Sequence, residues 1–375
     1  MTESRLMIPI AQPTLDGSEA AYVAECMAST WISSSGPFID RFEQLFAEFC
    51  ETGHGVSTSN GTTSLHLALH ALGIGPGDEV IIPSLTYVAS ANAVRYTGAT
   101  PVLVDSEFET MNLDPQAVAA AVTSRTAAIM PVHLYGHPAD MDPILATAAS
   151  HGLAVVEDAA EAHGARYRGR RVGSLGTCGS FSFFGNKIIT TGEGGMVTTS
   201  DAALASDLRQ YRGQGQDPAR RYWFPVVGFN YRMTNVAASI GTAQVENIES
   251  QLSRRERIRE WYDERLTSLD EVIRPSVAPW ADAVNWLYTV RLATTESGRD
   301  HMMSLLAGDG IETRPVFYPM HVMPPYLGRP GQFPMAERIG RTGVSLPTFS
   351  TLTEDQVDYI VGRIAHHLPD LPAGG

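Results

Sequence analysis

Residues 78–105 read DEVIIPSLTYVASANAVRYTGATPVLVD, and the changes of texture within this stretch decide the fold class. The apolar run Val80–Ile82 gives way to an alanine-rich segment and then to a second run, Val102–Val104. Short uninterrupted runs suit strands buried on both faces, and the segment between them suits a helical crossover. Together they are the signature of a largely parallel sheet covered on both sides. Runs at Ala128–Val132 and Ala154–Val156 continue the pattern, so the chain reads as α/β. Asp105, His133 and Asp158 each end or follow a run, and side chains at the carboxyl ends of parallel strands face the crevice where such folds bind ligands.

Before this stretch, Phe38, Phe42, Leu45, Phe46 and Phe49 recur at helical spacing and Gly53 follows where the pattern stops, which predicts a helix over 37–51. After it, β-like stretches at Gly179–Phe184 and Gly195–Thr199 flank a glycine-rich segment. One helical stretch is predicted over 235–269, and Arg254, Arg255, Arg257 and Arg259 among its glutamates suggest a solvated face. A strand at Trp286–Leu292 and helices over 299–309 and 353–367 complete a compact C-terminal α+β unit. The expected organisation is a large domain over 1–244 and a smaller one over 245–375. Gly213–Arg221 (GQGQDPARR) is the most loop-like interior segment, of the kind that often sits over active sites.

The 375 residues, 43% hydrophobic and 18% charged, exclude a disordered or fibrous chain. A net charge of -14 makes nucleic acid a poor partner. No apolar run approaches the roughly 20 residues needed to cross a bilayer, and the N-terminus carries no secretory leader, so the expectation is a cytoplasmic protein without membrane association. Cys26, Cys50 and Cys178 fit neither a disulfide framework nor a zinc ribbon, and no metal site is expected.

Lys187 is the sole lysine among 27 basic residues. A bias toward arginine explains the missing surface lysines but not the survivor. Arginine cannot lose its proton near neutral pH and so cannot form a Schiff base, which makes Lys187 a candidate for amine chemistry. It lies in GSFSFFGNKIITTGEGG, residues 179–195, where the order required of a P-loop is absent. No dinucleotide fingerprint follows the first strand and no GxSxG elbow occurs. His66 and His70 are four apart, but Leu67 stands where a zinc protease has glutamate, so they read as packing residues. The Arg166, Arg168, Arg170 and Arg171 cluster reads as a solvated hairpin.

Pyridoxal phosphate requires an amine, an acid beside the pyridine nitrogen, a flat group over the ring and donors for the phosphate. Lys187, Asp158 and Tyr87 are candidates for the first three. Gly61 and Thr62, in SNGT at a helix start, and Ser182, five residues before Lys187, are candidates for the fourth. Each has an ordinary structural alternative: an N-cap for Asp158 and SNGT, a core role for Tyr87, a plain strand serine for Ser182.

The ordered series SNGT, GPGDEVIIPSLTYVASANAV, TGATPVLVD, VHLYGHPADM, VEDAAEAHGA, FSFFGNKIITTGEGG and GFNYRMTN, with TRPVFYPMH and GVSLPT further on, resembles the DegT/DnrJ/StrS-type sugar aminotransferases, pyridoxal phosphate enzymes of the aspartate aminotransferase fold. The resemblance implies a mostly parallel sheet of the seven-stranded type sandwiched by helices, with a smaller C-terminal domain. It further implies that Lys187 forms the covalent imine with the cofactor, Asp158 pairs with the pyridine nitrogen and Tyr87 stacks. Gly61, Thr62 and Ser182 would hold the phosphate. Asn230 matches a family asparagine that reaches the phosphate of the neighbouring subunit, implying a homodimer with shared active sites. Glu161 stands where many relatives have glutamine and is expected near the cofactor's ring hydroxyl. FFGNK, GEGG and Glu161 are most similar to the branch that aminates C4 of GDP-4-keto-6-deoxy-D-mannose, with L-glutamate as donor. Trp31, Ser34, Arg314, Tyr318 and His321 are candidate nucleotide-sugar contacts. The alternatives are the same transfer to a dTDP- or UDP-linked keto sugar at C3 or C4, a nicotinamide-dependent sugar oxidoreductase, and a noncatalytic protein that keeps the fold.

Overall fold

In the computed structural model, which describes residues 7–329 and 331–372, the apolar runs become the inner strands of a seven-stranded sheet. The strands are β1 (His54–Thr58), β2 (Glu79–Pro83), β3 (Thr100–Val104), β4 (Thr126–Ile129), β5 (Ala154–Asp158), β6 (Cys178–Ser182) and β7 (Gly195–Thr199). Their order is β1-β7-β6-β5-β4-β2-β3. Strands β2 to β6 pair in parallel, whereas β7 runs antiparallel to both β6 and β1. Burial on both faces follows from strand alternation. Ile81 joins the cluster of Ile129, Ile144 and Val155, while Val80 and Ile82 join that of Leu65, Leu67 and Val94.

The helix Pro37–Phe49 buries Phe38, Phe42 and Phe46 at one-turn spacing against Phe181 and Phe183. The left-handed residue past its end is Glu51 (φ 60°) and not Gly53, and Glu51 accepts a hydrogen bond from Arg166 at 2.6 Å. The stretch expected as one helix over 235–269 is two, Asn235–Glu246 and Ile248–Leu266, separated at Asn247. Helices Ile248–Leu266, Glu296–Gly308 and Glu354–His367 contribute to the core of a second, antiparallel sheet of order Val272–Ile273, Tyr288–Leu292, Gly343–Leu346, Arg314–Pro315. Ile8 joins this second core.

Two arginines expected in solvent are buried. Arg255 donates to the carbonyl oxygens of Asn285, Trp286 and Thr348. Arg171 lies 3.9 Å from the Phe49 ring centroid and donates to Gly164 and Glu249. Both strands of the basic hairpin, Arg166–Tyr167 and Arg170–Arg171, join a three-stranded sheet with Ala281–Asp282. Cys26, Cys50 and Cys178 are free and buried. Among the described residues, no helix is long and apolar enough to cross a membrane, and no group of acids, histidines and cysteines has the makings of a metal site.

Candidate active site

A cavity of about 570 Å³ opens where the carboxyl ends of β5 and β6 face the second sheet. Of the three polar residues at strand ends, only Asp158 lines it. Asp105 instead caps the helix Pro334–Thr342, accepting the N–H groups of Met335 and Ala336. His133 is wholly buried. Its Nδ1 accepts the Ala139 N–H, so Nε2 carries the proton and donates to Glu157 at 3.0 Å. Glu157, adjacent to Asp158 on β5, also accepts the N–H groups of Gly173, Leu175 and Gly176 at 2.7–2.8 Å.

Asp158 accepts the Ser90 hydroxyl at 2.7 Å and the Ala160 N–H at 3.2 Å. Burial raises its carboxyl above the ordinary value, opposed by these donors and by Lys187. Lys187 sits in the loop after β6, with Nζ 3.8 Å from Glu161 and 3.9 Å from the Trp286 ring centroid. Burial lowers its pKa while Glu161 and Asp158 hold it up. Glu161 accepts the Tyr135 N–H at 2.9 Å, and burial pushes its carboxyl up to about 7 against the pull of Lys187. The cavity therefore brings together one amine and two carboxyls that share a proton economy, with the acid on β5 held in place by a hydroxyl.

The phosphate candidates converge on the same cavity. Asn60 caps the helix Gly61–Ala71, its side chain accepting the Thr63 N–H and its own N–H donating to the Thr63 hydroxyl. Gly61 and Thr62 line the cavity, and the N–H groups of a helix's first turn have no carbonyl partner within the helix. A Cβ on Gly61 would stand 2.7 Å from the Ser182 Cβ, so glycine is what lets helix start and strand end meet. Free N–H groups at a helix N-terminus beside a hydroxyl form an anion cradle. With the amine and the acid, this donor set fits pyridoxal phosphate.

Tyr87 lines the cavity, 57% exposed, with its ring centroid 5.6 Å from that of Phe317. Arg314 lines it from the second sheet. His321 does not contact the cavity: it is buried, and its ring nitrogens engage Ser84 at 2.7 Å and Glu337 at 3.1 Å, which makes it a packing residue. Trp31, Ser34, Asn230 and Tyr318 are exposed and outside the cavity of this chain. Sequence reasoning missed Ser90, Tyr135, Trp286 and Phe317. Ser90 alone left a signal, one helical turn after Tyr87 in TYVAS.

Fold and site together define an enzyme of amine chemistry built on a mostly parallel sheet. The chain belongs to the DegT/DnrJ/EryC1/StrS aminotransferase family, whose pattern matches residues 13–365. It is a pyridoxal-phosphate-dependent transaminase. GDP-perosamine synthase of Caulobacter vibrioides is 56% identical over 360 residues, covering 95% of this chain and 97% of that protein. The crystal structure of Streptomyces venezuelae DesV in complex with a ketimine intermediate superposes with a TM-score of 0.89 at 40% identity, covering 94% of each chain. The pyridoxal phosphate form of the putative sugar aminotransferase Spr1654 from Streptococcus pneumoniae superposes with a TM-score of 0.92 at 27% identity, covering 97% of this chain and 99% of that one.

Proposed function

We propose that this protein transfers an amino group from L-glutamate to C4 of GDP-4-keto-6-deoxy-D-mannose, yielding GDP-perosamine. The observation that carries the reading is the meeting of Lys187, Asp158 and Glu161 in one cavity, in a chain 56% identical to a GDP-perosamine synthase.

Lys187 would hold the cofactor covalently, Asp158 would pair with the pyridine nitrogen, and Gly61, Thr62 and Ser182 would take the phosphate. Tyr87 would cover the ring. Pyridoxal phosphate supplies an aldehyde that carries the amine and a ring that withdraws electrons from the reacting carbon. The freed Lys187 amine would move a proton from the donor's α-carbon to the cofactor's aldehyde carbon in the first half of the reaction, and from that carbon to the sugar carbon in the second. Its lowered basicity keeps a larger fraction of that amine unprotonated near neutral pH. Glu161, with its raised carboxyl, is placed to hold or release a proton beside Lys187. Arg314 offers a positive charge to the substrate from the opposite wall.

A homodimer with shared sites belongs to this reading. Trp31, Ile32, Tyr222, Trp223, Phe224 and Val227 are all at least half exposed, an apolar load that a second copy would cover. Asn230 lies close by in sequence and would serve the partner's phosphate. A two-domain division near residue 245 and a cytoplasmic location complete the proposal.

Turnover of GDP-, UDP- and dTDP-linked 4-keto sugars with L-glutamate tests it, with K187A as control. Amination of the GDP sugar, abolished in K187A, is expected. No turnover of any GDP sugar sinks the substrate assignment, and turnover by K187A sinks the mechanism.

A further inference from the structure

We propose that Trp286 is a positioning residue for this reaction: its indole clamps the Lys187 segment at two points and steadies the ε-ammonium whenever the amine is free of the cofactor. The inference rests on the reading of Lys187 as the cofactor-bearing amine.

The first point of the clamp is a hydrogen bond from the indole Nε1–H to the Asn186 carbonyl oxygen at 2.8 Å, which fixes the peptide unit just before the lysine. The second is the ring face, whose centroid lies 3.9 Å from Nζ. A cation over an indole is attracted by the ring's quadrupole, and more strongly where water is excluded. Trp286 is 3% exposed and the Lys187 side chain 11%, so this pair is largely dry.

The clamp is itself braced. Arg255 donates to the carbonyl oxygens of Asn285 at 3.2 Å and Trp286 at 3.0 Å. The indole stacks on Tyr135 at 5.8 Å and 14°, and Tyr135 stacks on Phe317 at 5.3 Å and 16°. Tyr135 adopts left-handed backbone (φ 52°) while its N–H donates to Glu161. One stack of rings thus links the second sheet to both members of the Lys187–Glu161 pair.

Other charged or titratable groups bear on the amine. Glu161 and Asp158 attract its protonated form, and Arg314 and Glu193 line the same cavity. His163, on the buried side, is kept neutral because burial pushes its pKa down to about 3. A carboxylate can accept the lysine's proton, whereas an aromatic face stabilises the cation without accepting it. The indole therefore offsets part of the burial that makes the amine less basic.

Because the chain has one lysine, cofactor-free protein grown with isotopically labelled lysine gives a single set of lysine side-chain NMR signals. In the wild type the ε-methylene protons are expected upfield of those of a solvated lysine. In W286L the titration midpoint is expected to fall by about 0.4–1.5 pH units, and in W286F, which keeps a ring face, by less than half as much. Wild-type signals at solvated-lysine positions, or a W286L midpoint at or above that of wild type, would overturn the clamp. The ring-current measurement needs no variant and holds even if W286L does not fold. Borohydride trapping on wild-type protein separates the two readings. An absent adduct on Lys187 removes the assignment on which the clamp rests, whereas an adduct with undisplaced lysine signals overturns the clamp alone.

Discussion

Replacing Glu161 by glutamine removes one ionisable group from the cavity while keeping its size and an acceptor for the Tyr135 N–H. Burial raises the Glu161 carboxyl from its ordinary 4.5 to about 7, against the opposing pull of Lys187 and the Tyr135 N–H. The folded state therefore binds this proton more tightly than the unfolded chain does. The stabilisation is complete below 4.5 and is lost as pH rises through about 7. At about 1.4 kcal/mol per pH unit, that interval amounts to about 3 kcal/mol at most. Lys187, 3.8 Å away, takes up part of it by holding its own proton more firmly once Glu161 ionises. The assay is urea unfolding of cofactor-free wild type and E161Q between about pH 5 and pH 8. The stability of the wild type relative to E161Q is expected to fall by about 1–3 kcal/mol across this range. Parallel profiles, or a relative stability that grows with pH, would refute the reasoning.

Three further outcomes follow from the site and its supports. S90A leaves Asp158 without its hydroxyl donor, a loss of about 1.5–3 kcal/mol for a hydrogen bond to a charged group; cofactor affinity, read from visible absorbance, should weaken about 10- to 100-fold. G61A puts a Cβ 2.7 Å from Ser182 and should destabilise the protein by about 1–3 kcal/mol, with weaker binding of pyridoxal phosphate; a variant as stable and as tightly loaded as wild type would show that the cradle has slack. R255M strands buried carbonyl oxygens and should lower stability by about 1–3 kcal/mol, whereas R254A, which removes an exposed pair with Asp16, should change it by no more than about 1 kcal/mol. Equal effects in the two arginine variants would contradict the burial difference.

The inner strands were legible because burial on both faces leaves a continuous apolar run, as at Val80–Ile82. The antiparallel course of β7 was not, since strand direction leaves no trace in composition. Arg254 and Arg255 differ only in the helix face they occupy, and the charge pattern along the helix reads the same for both. In the site, Lys187 stood out by being alone and Asp158 by ending a strand. Asp105 and His133 carried the same terminal signal yet serve a helix cap and a buried pair. Trp286 and Phe317, just outside strands of the second sheet, lie about 100 and about 130 residues beyond Lys187 in the chain, separations that no local pattern bridges. Tyr135 was hidden because its role depends on a left-handed backbone that its residue type does not announce.

Strand β5 ends in two consecutive acids, and pleating sends neighbouring side chains to opposite sides. Glu157 is gripped by an imidazole and three backbone amides, a set of contacts that acts as a register lock. Slipping the strand by one position would tear out all four and exchange which acid faces the cavity. Which of the two consecutive acids, Asp158 or Glu157, lines the cavity is therefore enforced from the reverse side of the sheet, by a residue outside that cavity.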